Sequence, residues 1–321
     1  MIFKRALIDS PNGVAMSVLF DTIILGAGPA GLSAGFQAAR LGRNVLLIER
    51  GQIGGHLINL QAITDYLGFP EPISGAELGM KMYEQASQAG MKSSFGEVTA
   101  IHIADLECRV EALGEVHRGR SLIICTGTSP QKLEVPGEEA LMGSGVSYCV
   151  ICDAPLYKGM DVAVVGTGDM AAQDALYLSK IAKRVVLIGE GNELQATRQL
   201  KEEIQARDTI EYRFENKIES LASGEKGIKL RLKHRRTGEV TEIIRDGIFV
   251  SLGRIPNTQF LRGKLPLAES KYLITNDELL VKAPNIFAAG QVRAGSIPSV
   301  AIEVGEGARA AHMAERYLAS Q

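Results

Sequence analysis

Two thirty-residue stretches of this chain, 21–50 and 161–190, can be laid over each other without a gap, and this duplication constrains the fold more than any other feature. The first reads DTIILGAGPAGLSAGFQAARLGRNVLLIER and the second DVAVVGTGDMAAQDALYLSKIAKRVVLIGE. Each opens on a β-branched apolar run, passes through a glycine turn into a helical pattern and closes on a second apolar run, which predicts a βαβ dinucleotide-binding unit. In the first copy Gly26, Gly28 and Gly31 supply the tight turn, the close approach of backbone to a pyrophosphate and tight packing of helix on strand. Glu49 closes the second strand 21 residues after Gly28, where a carboxylate accepts hydrogen bonds from both ribose hydroxyls. In the second copy Gly166, Gly168 and Ala171 keep the turn, but the counterpart of Glu49 is Gly189 and the acid, Glu190, comes one residue late. A shift of one residue turns a strand side chain to the other face, so the second unit is expected to be a weaker nucleotide site.

The copies start 140 residues apart and leave the C-terminal third to be placed. The expected fold is α/β, with two Rossmann-like, three-layer dinucleotide-binding domains, in keeping with a 321-residue chain. The first domain is discontinuous, 1–127 with 253–321, and the second, 128–252, is inserted into it. Candidate hinges are TGTSPQ (126–131) and SLGRIPN (251–257). Residues from Gly253 to a helix beginning near Ile302 read as a second strand-rich block. The stretch Glu219 to Arg245 alternates around a Thr237-Gly238 turn and reads as a solvated β-hairpin. Its cluster Lys233, His234, Arg235 and Arg236 reads as a charged strand end, since no wider basic stripe accompanies it.

A net charge of -2 implies neither polyanion binding nor a membrane surface, and no apolar run approaches the ~18 residues that a spanning helix needs, so neither nucleic acid nor a membrane is expected as partner. Residues 1–17 form an N-terminal extension with Lys4 and Arg5 but no continuous apolar run and no convincing cleavage site, and Met16 offers an alternative start. The expectation is a soluble cytoplasmic protein, in which the four cysteines are thiols, metal ligands or a working redox pair before they are a structural framework.

Cys149 and Cys152 stand at C-x-x-C spacing in VSYCVICDAP, directly before the second repeat. Thiols so spaced can close a small ring, commonly have a depressed pKa and exchange readily. A zinc site would require a second ligand pair, and neither Cys108 nor Cys125 belongs to one, so no metal is expected. Cys125 lies in the apolar run LIICTG and is expected to be a buried thiol; Cys108, among charged neighbours, reads as incidental. Asp153 follows the second cysteine and can serve as an acid for a departing thiolate or a flavin.

The order of a dinucleotide fingerprint, C-x-x-C-D, a second dinucleotide fold and a closing IFAAGQVR resembles the low-molecular-weight thioredoxin reductases over residues 18 to 320. The segments that carry the resemblance are GAGPAG (26–31), GQIGGHL (51–57), DYLGFPEPISGAEL (65–78), YCVICD (148–153), GTGDMA (166–171), GRIPNT (253–258) and GEGARAA (305–311). The resemblance implies FAD along Gly26, Gly28, Pro29, Ala30 and Gly31, with Glu49 and Arg50 at the ribose end. It implies further FAD contacts from Gly54, Gly55, His56, Leu57, Asp65, Val98, Gly127, Gly290, Gln291, Ser299 and Val300. It also implies Cys152 beside the flavin, Cys149 as nucleophile toward a partner disulfide, Asp153 as acid and base, a homodimer, and an inserted domain that rotates to present nicotinamide and dithiol in turn.

The departures lie where electrons enter. Where the family carries His-Arg-Arg and a further Arg for the 2'-phosphate of NADPH, this chain has Gly189, Glu190, Gly191 and Gln195, and Gln173 and Asp174 replace paired glutamates. A phosphate of about -2 charge facing Glu190 would be repelled, which disfavours NADPH. Near the flavin, Gln291 replaces Asp, and Pro298, Ser299 and Val300 replace Arg-Gln-Ala; glutamine keeps hydrogen-bonding capacity but loses the charge. In these losses the chain is similar to ferredoxin-linked, pyridine-nucleotide-independent members. The leading expectation is an FAD enzyme that reduces thioredoxin or a similar protein disulfide, with a ferredoxin-like or unknown donor. The alternatives are an NADH-dependent disulfide reductase, in which Glu190 accepts the free 2'-hydroxyl, and a flavin-bound thiol sensor or binding protein.

Overall fold

The computed structural model describes residues 18–321 apart from 61, 105, 262, 282 and 283; the N-terminal extension 1–17 and Met16 lie outside the described residues. The first repeat folds as β1 (Leu19–Leu25), α1 (Pro29–Arg40) and β2 (Val45–Glu49). β1 and β2 are parallel, with Thr22 opposite Val45 and Leu25 opposite Ile48. Their apolar runs are continuous because both faces of the sheet are covered; Ile23, Ile24, Leu25, Val45 and Leu47 have no exposed surface. Next comes α2 (Gly75–Gln88), whose cap Ser74 accepts from the Glu77 N–H and so satisfies an end donor of the helix. After β3 (Lys92–Phe95), the strands β4 (Val98–Ile103), β5 (Cys108–Ala112) and β6 (Glu115–Ile124) make an antiparallel meander. The sheet runs in the order β3-β2-β1-β6-β5-β4.

β7 (Thr128–Pro130) leads into the second unit, which opens with α3 (Glu138–Leu141), β8 (Val146–Ser147) and α4 (Val150–Asp153). The second repeat follows as β9 (Asp161–Val165), α5 (Asp169–Leu178) and β10 (Arg184–Ile188), then α6 (Arg198–Gln205) and β11 (Ile210–Arg213). After β12 (Asn216–Gly224), β13 (Gly227–His234) and β14 (Val240–Arg245), β15 (Gly247–Val250) completes a parallel sheet of order β11-β10-β9-β15-β8. β16 (Arg254–Pro256) pairs with β7, so the two chain crossings share one short ribbon. β17 (Ile286–Ala288) then joins β6 in the first sheet, and α7 (Val300–Ala319) closes the chain.

Contacts divide the chain into one unit running to Thr128 and resuming at Pro256, and a second, Ser129–Ile255. In the first, α7 packs on α1 through small residues: a Cβ on Gly307 would lie 2.0 Å from the Ala30 carbonyl oxygen, and Ser33 Oγ donates to the Val304 carbonyl at 2.7 Å.

Three expectations change. The stretch 219–245 is part of a three-stranded sheet, β12-β13-β14, with one dry face: Leu221, Ile228, Leu230 and Leu232 are buried, because every second residue of β13 turns toward the core. The block after Gly253 holds only β16 and β17 as named strands, joined by turns and isolated bridges, and α7 starts at Val300. Cys108 is fully buried and its Sγ lies 3.2 Å from the Gly119 carbonyl oxygen.

Candidate functional site

The β1–α1 turn is built from backbone conformations that its glycines allow. Gly26 has φ +102°, and a Cβ there would meet the Cys125 carbonyl oxygen at 2.3 Å. A Cβ on Gly31 would lie 1.8 Å from the Gly26 carbonyl oxygen, so α1 comes as near to β1 as backbone can. Gly28 differs in kind, because a Cβ there meets nothing within 4 Å and the backbone faces open space. α1 has no side-chain cap on its first turn, where Pro29 stands, so its end N–H groups point toward that space.

Glu49 reaches back to this turn. Its Oε2 accepts from the Ala27 N–H and its Oε1 from the Gly51 N–H, each at 2.7 Å, which fixes the carboxylate at the end of β2. A cavity of about 410 Å³ opens here, lined by Gly26, Glu49, Arg50, Val98, Thr126 and Asn257 among others. Arg50 Nη2 lies 3.4 Å from Asn257 Oδ1, and Asn257 Nδ2 donates to the Thr126 carbonyl at 2.8 Å. Gly127 follows with φ +59°.

A second cavity, of about 460 Å³, meets the turn at Pro29; His56, Leu57, Asp65, Gln291, Ser299 and Val300 also line it, with Glu303. Gly54 (φ +96°) and Gly55 (φ +54°) bring the 54–57 loop against the turn: the Gly54 N–H donates to the Ala27 carbonyl at 2.9 Å, and a Cβ on Gly55 would be 3.0 Å from Gly28 Cα. Gly290 (φ +77°) comes equally near, with a Cβ there 2.9 Å from Ala30 Cβ. Glu306 on α7 holds that segment, accepting from the Gly290 N–H at 2.7 Å and pairing with Arg293. An open glycine backbone, an uncapped helix N-terminus, a fixed ribose-type acid and a cavity on either side fit a dinucleotide such as FAD.

In the second unit Cys149 and Cys152 are joined in a disulfide, with Cα atoms 5.3 Å apart. Cys149 is the N-cap of α4 and is half-buried; Cys152 is exposed, and Asp153 is half-buried with its N–H on the Cys149 carbonyl at 3.2 Å. Ser147, buried, accepts from the Cys149 N–H at 3.1 Å. The other cysteines are chemically quiet: burial pushes the Cys108 thiol up to about 12 and raises that of Cys125 as well.

The second glycine turn differs from the first where the ribose acid belongs. A Cβ on Gly189 would lie 2.2 Å from Thr167 Cγ2, so the threonine methyl stands where that side chain would begin. Gly166 (φ +148°) would place a Cβ 2.3 Å from the Ser251 carbonyl oxygen and 2.9 Å from Ala171 Cβ, so this turn is as tight as the first; Gly168, like Gly28, faces open space. Glu190 is exposed and pairs with Arg235, Nη1 to Oε2 3.4 Å. The rest of that basic cluster is engaged as well: Lys233 pairs with Glu219, and His234 and Arg236 lie near Glu215. Asp174 accepts from Ser251 Oγ at 2.6 Å, and burial raises its pKa against that hydrogen bond.

Sequence reasoning missed Thr126, Asn257, Glu303 and Glu306. The acids at 303 and 306, one helical turn apart at the start of α7, were the available signal.

The pattern of the pyridine nucleotide-disulphide oxidoreductases matches residues 20–314. A thioredoxin reductase of Peptoclostridium acidaminophilum is 32% identical over 94% of this chain and 98% of its own. The crystal structure of Lactococcus lactis thioredoxin reductase, in its FR conformation, superposes with a TM-score of 0.82 at 33% identity, covering 94% of this chain and 100% of that one. A ferredoxin-flavin thioredoxin reductase of Clostridium acetobutylicum superposes with a TM-score of 0.52 at 27% identity, covering 94% and 99%.

Proposed function

The chain belongs to the pyridine nucleotide-disulphide oxidoreductase family and is a thioredoxin reductase-like, FAD-dependent flavoprotein, and we propose that it reduces thioredoxin or a similar protein disulfide with electrons that do not come from NADPH. FAD supplies the two-electron chemistry that returns Cys149–Cys152 to the dithiol.

In the proposal, Glu49 and Arg50 hold the adenosine end in the first cavity, and the α1 N-terminus faces the pyrophosphate. Leu57, Asp65, Gln291, Ser299 and Val300 surround the flavin end in the second. Once reduced, the Cys149 thiolate attacks one sulfur of the partner disulfide, forming a mixed disulfide and releasing a partner thiolate that takes up a proton. Cys152 then attacks Cys149, the Cys149–Cys152 bond forms again and the second partner thiolate leaves. Asp153, the residue after Cys152 and half-buried, is in this proposal the acid and base that gives and takes those protons.

The observation that carries the donor reading is at Gly189. No side chain there accepts a ribose hydroxyl, the Thr167 methyl stands in its way, and the neighbouring cation, Arg235, is engaged by Glu190. A 2'-phosphate would have to displace that carboxylate and face its charge. The likeness to a ferredoxin-flavin thioredoxin reductase supports a one-electron protein donor. Anaerobic additions of NADPH, NADH and reduced ferredoxin, in turn, test this through the flavin absorbance. Bleaching by ferredoxin alone is expected, and rapid bleaching by NADPH would refute the reading. The exposed Glu190 keeps NADH as a second reading; a Glu190→Ala variant with unchanged NADH affinity would end it.

A further inference from the structure

The cavity assigned to the flavin holds two carboxylates, Asp65 and Glu303, and one imidazole, His56, and among the described residues its lining includes no lysine or arginine. Glu303 is a member of it that no sequence motif marked. It sits in the first turn of α7, its N–H on the Ser299 carbonyl at 2.9 Å, and is half-buried. Gln291 Nε2 donates to Glu303 Oε1 at 2.6 Å, and Gln291 Oε1 in turn accepts from Thr128 Oγ1 at 3.3 Å. The amide is thus oriented by both its ends, and it fixes the carboxylate in the cavity.

We infer that Glu303, positioned by Gln291, lowers the reduction potential of the bound flavin and so matches it to a strongly reducing donor. This rests on the FAD reading above. A flavin gains negative charge on its pyrimidine ring when it takes up electrons, and charge nearby tunes how readily it does so. The N-terminus of a twenty-residue helix would favour that negative charge. A carboxylate in its first turn offsets the helix field and adds negative charge to the cavity that Asp65 also lines. The charge lost by having Gln291 at its position is therefore returned one hydrogen bond away, on α7. Electron balance is unchanged: the flavin takes two electrons from the donor and passes two to the Cys149–Cys152 disulfide.

The test is the flavin midpoint potential of the purified holoprotein, equilibrated against reference dyes, with Glu303→Gln and Glu303→Ser as variants. Each should ease flavin reduction at least tenfold, about 30 mV toward the positive for a two-electron couple, while Glu303→Asp stays near the parent. Sulfite, whose adduct also places negative charge on the flavin, should bind both neutral variants at least tenfold more tightly. Potentials and sulfite affinities within threefold of the parent, or moved the opposite way, would overturn the inference. Loss of flavin from both variants would overturn it too, by making Glu303 a binding residue instead of a tuning one. A protein that holds flavin but never reduces thioredoxin would sink the functional reading and leave this measurement standing.

Discussion

The hydroxyl of Tyr148, the residue before the redox pair, donates to the carboxylate of Glu138, which is only 4% exposed and also accepts from the N–H groups of Leu133 and Glu134 at 2.7 Å each. Burial, and then this carboxylate, hold the Tyr148 phenol above its ordinary pKa, so it remains a donor. Glu138→Gln turns an amide N–H₂ toward donors and should cost about 1–3 kcal/mol; Tyr148→Phe leaves two donors in place and should cost about 1 kcal/mol. Denaturant titration of both variants at neutral pH measures this.

The glycines of the first turn separate binding from folding. Gly28→Ala meets no protein atom within 4 Å, so its apoprotein should unfold at the denaturant concentration of the parental apoprotein, while the purified variant retains little flavin. Gly31→Ala drives a methyl into the Gly26 carbonyl and should lose about 1–3 kcal/mol of stability as well. The flavin-to-protein absorbance ratio and an unfolding curve for each variant distinguish the two.

The cysteines should divide by reactivity. After reduction of the native protein at mildly alkaline pH, alkylation is expected at Cys149 and Cys152 and not at Cys108 or Cys125, whose thiols are buried and raised in pKa. Mass spectrometry of the labelled peptides reads the outcome, and labelling of Cys125 in folded protein would contradict it.

An acid-sensitive link joins the antiparallel strands. Hydrogen bonds from Arg118 and then Arg109 lower the pKa of Glu107 to about 2. A depressed carboxylate stabilises the fold above its unfolded pKa, and that contribution disappears as pH falls through the folded value. The stability gap between the parent and Glu107→Gln should therefore be constant at neutral pH, shrink below about pH 4.3 and vanish near pH 2. Both pairs are partly exposed, so the gap should be modest and should narrow in salt.

The turn and its acid were legible because Gly26, Gly31 and Glu49 act within one thirty-residue unit, where spacing alone fixes which atoms meet. Asn257 was not, since it meets Thr126 from 131 positions along the chain, and no local pattern announces that contact. Glu306 reaches Gly290 over a shorter loop, but its role depends on α7 lying against α1. Cys108 was within reach: it shares a strand face with Val110 and Ala112, both buried, and period-two alternation places all three in the core. The pairing of Glu190 with Arg235 joins the second repeat to a sheet that sequence periodicity described only in part.

The central claim is that electrons leave through Cys149 and Cys152. The direct measurement reduces the holoprotein chemically, removes the excess reductant and adds oxidised thioredoxin anaerobically, comparing the parent with Cys149→Ser and Cys152→Ser while new thioredoxin thiols are counted. The account predicts stoichiometric thiol formation by the parent and none by either variant, though both variants keep a reducible flavin. Thioredoxin reduction at the parental rate by either single-cysteine variant would contradict it.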